Sequence, residues 1–362
     1  MSEAKNKIRV GIWGLGRAGW CMHSSELDKY KDEFDVVAGC DLEADRLENF
    51  KKKYPAAKAY LDGNEFLADS NIELVSVAVR SPQHVDYAIR AMEAGKMVFL
   101  EKPIALTTAG TAKLAEAEKK YPGKLFFRHN RRFEACFCHV MDIIHSGVLG
   151  EVFEIKLCRH SYQFREDWQA IIGCGGGQLN NWGPHIIDQS LRFLESPVES
   201  IWSDLKLITG RGDAEDHLKI VFRGENRRVV DMEISGGISL PSPVVAVYGT
   251  RGSLISEDEM DIKLKYLDPK MEMPNYPAHP ETPPLGQNFS GVVAPKFIRK
   301  TIMVEPENGL QLTDIYHVLY QAIREGKPYP IKSEEAYEVV RVTEIVKKQN
   351  PQFAIKEDEF GK

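Results

Sequence analysis

IRVGIWGLGRAG, residues 8–19, is the stretch on which the fold turns. Its first half is a short, nearly continuous apolar run, the pattern of a parallel strand buried on both faces. Its second half is GxGxxG, with Gly14, Gly16 and Gly19 at the three glycine positions. A helical pattern follows, so strand, glycine turn and helix stand in the order this motif needs. Gly14 allows the tight turn, Gly16 lets a pyrophosphate approach the backbone, and Gly19 lets the helix pack closely. The helix start offers free N–H groups and a partial positive charge to phosphate. Arg17 and Ala18 lie in the same turn and are further candidates for cofactor contact.

The next apolar run, FDVVAGC at residues 34–40, ends at Asp41, 25 positions beyond Gly16. A carboxylate there can accept hydrogen bonds from both ribose hydroxyls of adenosine and repels a 2′-phosphate. The reading is therefore NAD in preference to NADP, with Arg46 on the following helix as another cofactor candidate.

Outward from this unit, strand and helix signals alternate. A helix is expected over residues 42–54, a strand over 74–79, and a helix over 84–94 that stops at Gly95. A strand follows at 97–100, then a helix capped by Thr107 or Thr108 and running to 121, then a strand at 125–128. Repeated β-α-β units with short connections predict an α/β fold with a parallel, doubly wound sheet, a Rossmann domain over residues 1–128. Beyond residue 130 the pattern changes. After a helix at 133–145, longer strands are expected at 152–158, 198–207, 217–222, 227–234 and 244–248, with turn signals and few helices between them. That predicts an α+β second domain, residues 129–362, with a mostly antiparallel sheet. Residues 268–295 are rich in proline and read as a long irregular loop, a lid or a subunit contact. Two helices, at 311–325 and 334–349, close the chain.

Composition excludes several classes. The chain has 362 residues, 47 basic against 53 acidic, and a formal charge of -6, which is not the footprint of a nucleic-acid binder. The Lys51-Lys52-Lys53 run reads as a solvated helix face. No stretch approaches the roughly 18 apolar residues of a membrane helix. The N-terminus runs straight into a strand without an apolar leader, so a cytoplasmic protein is expected. Six cysteines without regular spacing do not make a disulfide framework. Cys136 and Cys138 form CxC without a second close pair, so no zinc site is read, and His185 with Asp188 lacks a third ligand. A Ser-His-Asp hydrolase would lack its GxSxG elbow.

Three further segments carry a resemblance. AIRAMEAGKMVFLEKPIALT (88–107), FRHNRRFEACFCHVMDIIHSGVLGEV (127–152) and GGGQLNNWGPHIID (175–188), taken with GLGRAG, resemble the glucose–fructose oxidoreductase / inositol dehydrogenase / rhizopine catabolism family, Gfo/Idh/MocA. The resemblance covers almost the whole chain apart from the proline-rich loop. It implies a C-terminal domain with a large open-faced sheet that mediates dimers or tetramers. It also implies NAD(P)-dependent oxidation or reduction at a hydroxyl carbon of a sugar, polyol or similar small molecule. Lys102 falls at the family's active-site lysine and His185 at its catalytic histidine, and Glu101 and Lys102 are also expected to contact the cofactor. Arg80 and His84 fall near the expected nicotinamide. At Asn181 the chain departs from the family, which usually has an aspartate there. Asparagine can still hydrogen-bond a sugar hydroxyl, but it cannot stabilise an imidazolium by charge, so His185 is expected to be a weaker base.

The remaining substrate candidates each have a plain structural reading beside the functional one. Asp188 orients His185 or caps a local network. Arg132, at the domain junction, lines the cleft or forms an ion pair. Arg165 and Trp168, in QFREDWQ, suit a sugar ring, or Trp168 is core. A cationic Lys102 about 4 Å from a developing alkoxide would supply roughly 4 kcal/mol at an intermediate dielectric. Two other activities compete with the dehydrogenase reading. One is a glycoside-cleaving enzyme that oxidises its sugar transiently on NAD, suggested by Asn181 and the glycines of GCGGGQ. The other is a non-catalytic NAD-bound sensor.

Overall fold

The computed structural model describes residues 6–272, 295–305 and 311–354. Six short strands form the first sheet: β1 (Ile8–Trp13), β2 (Phe34–Cys40), β3 (Lys58–Tyr60), β4 (Leu74–Val77), β5 (Met97–Leu100) and β6 (Leu125–Phe127). All pairs are parallel and the order is β3-β2-β1-β4-β5-β6. Strands buried on both faces need apolar side chains in succession, and β4 is buried at all four positions. The order reverses between β1 and β4, and the crevice outside the carboxyl ends of the strands at such a point is where ligands bind. The helices α1 (Ser24–Lys29), α2 (Ala44–Lys53), α3 (Gly63–Ala68), α4 (His84–Glu93) and α5 (Thr108–Lys120) connect these strands. Thr107 caps α5 by accepting the Gly110 N–H, as the sequence predicts.

The second unit starts with α6 (Ala135–His145) and β7 (Val152–His160), followed by α7 (Gln178–Asn181) and α8 (Gly183–Leu194). Seven strands follow: β8 (Val198–Lys206), β9 (His217–Gly224), β10 (Val229–Ser235), β11 (Val245–Gly249), β12 (Gly252–Ser256), β13 (Asp261–Leu267) and β14 (Phe297–Met303). With β7 they form one sheet, β14-β13-β12-β11-β7-β10-β9-β8. Its pairs are antiparallel except β7 with β10. Strand β9 shows why one face is covered: Leu218, Ile220 and Phe222 are buried while Lys219, Val221 and Arg223 alternate with them. Helix α8 packs on β9 and β10, and α10 (Ser333–Gln349) packs on α8 and β8.

The sequence pattern predicts no strand at β3, β12, β13 or β14, yet all four form. Their order comes from ladder partners rather than local signal. Strands β13 and β14 pair Asp261 with Met303 across the proline-rich stretch. Of that stretch, residues 273–294 lie outside the described residues. Helix α9 (Ile315–Glu325) comes after the second sheet in the chain, but Ile315, Tyr316, Leu319 and Tyr320 join the core of the first sheet. All six cysteines are free. Among the described residues no helix is long and apolar enough to cross a membrane.

Candidate active site

The glycine turn after β1 is built as the motif requires. Gly14 has φ +97°, and a Cβ there would lie 2.6 Å from the Ala78 carbonyl oxygen. Gly19 lies in a π-helical segment, Ala18–His23, that leads into α1, and a Cβ on it would lie 1.9 Å from the Gly14 carbonyl oxygen, so no side chain fits between turn and helix. Gly16 faces open space with the Arg46 guanidinium 3.9 Å from its would-be Cβ. The Leu15 N–H donates to Asp41 Oδ2 at 2.6 Å, and the Glu43 N–H donates to Oδ1 at 3.0 Å. Arg46 donates to the same carboxylate at 3.2 and 3.4 Å. Asp41 thus holds the glycine turn and the end of β2 together, with the Arg46 guanidinium against its carboxylate. These groups fit a dinucleotide: a cradle without Cβ atoms, a carboxylate for the ribose, and helix N–H groups for the pyrophosphate. Arg17 is exposed at the mouth of the turn, Ala18 is half-buried, and Arg80 is exposed after β4.

Chains emerging from β4, β5 and β6 build the chemical end. His84 is buried, and its ring nitrogens approach the Pro103 and Val79 carbonyls at 2.7 and 3.0 Å. It ties the β4 loop to the Lys102 loop. Glu101 is buried rather than directed at the cleft. It accepts from Arg128 Nη1 at 2.8 Å, from His23 Nε2 at 3.2 Å and from the Lys102 N–H at 3.0 Å. Arg128 also pairs with Glu26. One guanidinium cannot neutralise two carboxylates. Against the cost of burial, Arg128 and His23 hold the Glu101 carboxyl well below its ordinary value. Burial instead pushes Glu26 up to about 7.

Lys102 rises from this base and donates from Nζ to the Asn181 carbonyl oxygen at 2.8 Å. Burial pushes its pKa down to about 8, opposed by Glu101 and reinforced by Arg128, Arg131 and Arg17. His185, near the start of α8, is buried and its Nδ1 has no hydrogen-bond partner. Burial, then the charges of Lys102, Arg131 and His129, hold it well below its ordinary value. The imidazole is therefore neutral at neutral pH and a weak base. That weakness was expected from Asn181, but burial and cationic neighbours produce it here. Arg131 also stacks over Trp182, 4.3 Å from the ring centroid.

Asp188 and Arg132 are satisfied by each other, through Nε and Nη2 at 2.8 and 2.6 Å, and Arg132 also pairs with Glu335 on α10. This ion-pair chain staples α8 to α10. A cavity of about 490 Å³ opens above Asn181, within the size range of small-molecule sites. Arg17, Gln163, Arg165, Asn181, Arg211 and Glu215 are among its lining residues. Of the substrate candidates named from sequence, Arg165 and Asn181 line it. Arg132, Trp168 and Asp188 do not. Glu215 and Arg211 carry no sequence signal, because a loop between two strands has no periodicity that could flag them. Among the described residues no cluster of three or more His, Cys, Asp or Glu could hold a metal ion.

Comparison with known proteins agrees with this architecture. Residues 8–129 match the oxidoreductase family with NAD-binding Rossmann fold, GFO/IDH/MocA, and residues 137–255 match the GFO/IDH/MocA C-terminal domain. An inositol 2-dehydrogenase of Acidothermus cellulolyticus is 34% identical over 70% of this chain and 74% of its own length. The scyllo-inositol 2-dehydrogenase (NADP(+)) IolW of Bacillus subtilis is 26% identical over 93% of this chain and 92% of its own. In fold, an NAD-binding protein from Listeria innocua superposes with a TM-score of 0.81 at 22% identity, covering 96% of both chains.

Proposed function

This chain belongs to the GFO/IDH/MocA family of oxidoreductases acting on CH–OH groups, and from that premise we propose that it is an NAD-dependent dehydrogenase of a polyol or sugar. The observation that carries the reading is the Lys102 ammonium. It stands beside a neutral His185 at the carboxyl edge of a Rossmann sheet and is bonded to the helix that lines the cavity. When bound, the nicotinamide supplies the two-electron acceptor at the substrate carbon.

Removing the hydroxyl proton falls to this chain. His185, being neutral, can accept it. Lys102 spends one N–H on Asn181, which leaves donors for the substrate oxygen and a charge that favours the developing alkoxide. Arg131, on its Trp182 platform, keeps His185 from holding a proton before substrate arrives. Gly177, one of the glycines of GCGGGQ, has a packing reason of its own, since a Cβ there would strike Glu215. That removes one support for glycoside cleavage.

A panel of sugars, cyclitols and nitrophenyl glycosides with NAD, followed by NADH absorbance and nitrophenol release, tests the proposal. Stoichiometric NADH with a polyol supports it, and release of aglycone without net NADH overturns it. Protonated Lys102 is the active form in this reading, so kcat/KM for oxidation falls above a pH of about 8. Lys102→Arg should carry that limb to higher pH. A limb that stays in place in this variant would assign it to another group.

We further propose that Asp41 selects NAD over NADP: its carboxylate, held at the end of β2 by the Leu15 and Glu43 N–H groups, would repel a 2′-phosphate. Asp41→Ser lowers the ratio of kcat/KM for NAD over NADP by roughly tenfold or more, through the lost charge repulsion and the freed Arg46. An unchanged ratio would move the discrimination elsewhere.

A further inference from the structure

Charge around the cavity is matched almost everywhere. Arg165 is bidentate to Asp167 at 2.8 and 3.2 Å, and Arg211 pairs with Glu166 at 2.5 Å. Asp216 accepts from the Ile208 and Thr209 N–H groups at 2.7 and 2.8 Å and from the Thr209 hydroxyl. Arg17 lies exposed in the glycine turn, where a cofactor pyrophosphate would meet it.

Glu215 is the exception. It lines the cavity yet is only 4% exposed. One carboxyl oxygen accepts the Leu179 N–H at 2.9 Å, and among the described residues the carboxyl has no ion-pair partner. The Lys347 ammonium on α10 favours the ionised form through space, but it makes its hydrogen bond to Asn180 Oδ1 at 3.3 Å and does not touch the carboxyl. Burial pushes Glu215 up to about 7, opposed by the Leu179 N–H, by its own backbone N–H and by Lys347, and aided by Asp216. The placement is enforced from below. Gly177 has φ +96°, and a Cβ there would lie 2.2 Å from Glu215 Oε1.

A substrate that fills the cavity expels the water around this carboxyl. A hydroxyl could donate one hydrogen bond, and would leave the carboxyl either protonated or ionised with no counterion in contact, the latter being costly in a buried site. An ammonium brings both donors and opposite charge. We propose that the substrate carries a basic nitrogen among its hydroxyls, and that this ammonium seats on Glu215: the site is that of an amino sugar or amino polyol. The inference rests on reading the cavity as the polyol site.

The test is calorimetric titration of the full chain loaded with NADH, using matched pairs: D-glucosamine against D-glucose, and scyllo-inosamine against scyllo-inositol. At least one amine binds about tenfold or more tightly than its hydroxyl twin. Glu215→Gln, which keeps an acceptor for the Leu179 N–H, abolishes that preference. Equal affinities within both pairs, no binding by any of the four, or a preference that survives Glu215→Gln overturns the proposal. The wild-type comparison decides by itself if the variant does not fold. Binding needs no turnover, so failure of the amine preference is separate from failure of the dehydrogenase reading, which NADH formation reports.

Discussion

Replacing Lys102 with methionine lowers kcat by about 10³-fold while leaving NADH affinity within about threefold. Methionine matches the length of the lysine stem and removes all three donors. The Asn181 carbonyl loses its partner, and the substrate oxygen loses both its charge stabilisation and its remaining hydrogen bonds. The backbone bond from the Lys102 N–H to Glu101 is unaffected, so the loop keeps its anchor. Single-turnover kinetics beside a fluorescence titration with NADH separates the two effects. Near-normal kcat would place the charge work on another residue. Collapse of NADH binding together with kcat would make Lys102 a structural element of the cleft.

Arg128→Leu should be the most destabilising single change near the site, at about 3–5 kcal/mol. Arg128 is wholly buried and joins Glu26 on α1 to Glu101 after β5. Removing it strands two carboxylates in the core, and leucine can bond neither. Urea denaturation measures the loss. The triple change with Glu26→Gln and Glu101→Gln recovers most of it if stranded charge is the cause. A triple variant as unstable as the single one would shift the cause to lost packing of the guanidinium stem. The single variant should also lose activity, because Glu101 holds the Lys102 backbone from below.

The first sheet was legible because its information is local. A glycine turn that admits no Cβ, a continuous apolar run and a cap at Thr107 each act within a few residues. Asp41 was legible for the same reason, as it ends the strand beside the turn it holds. The strands β12 to β14 were not, since their order depends on partners across the sheet. The substrate candidates divided along the same line. Arg165 and Asn181 line the cavity, whereas Arg132 and Asp188 found each other across the fold, and no spacing rule foretells that a cleft arginine will meet its carboxylate first.

By itself, then, the sequence determined the dinucleotide cradle, the two-sheet α/β architecture and the resemblance that singles out Lys102 and His185. Tertiary structure alone decided the protonation of that pair, since burial and the charge of Arg131 act on both, and Lys102 acts on His185, through space. It also decided that Lys102 reaches the Asn181 backbone 79 residues away, that Tyr316 returns across 293 residues to His23, and that Glu215 lines the cavity with no cation in contact among the described residues. Each of these depends on distance in space, which packing sets after the local elements have formed.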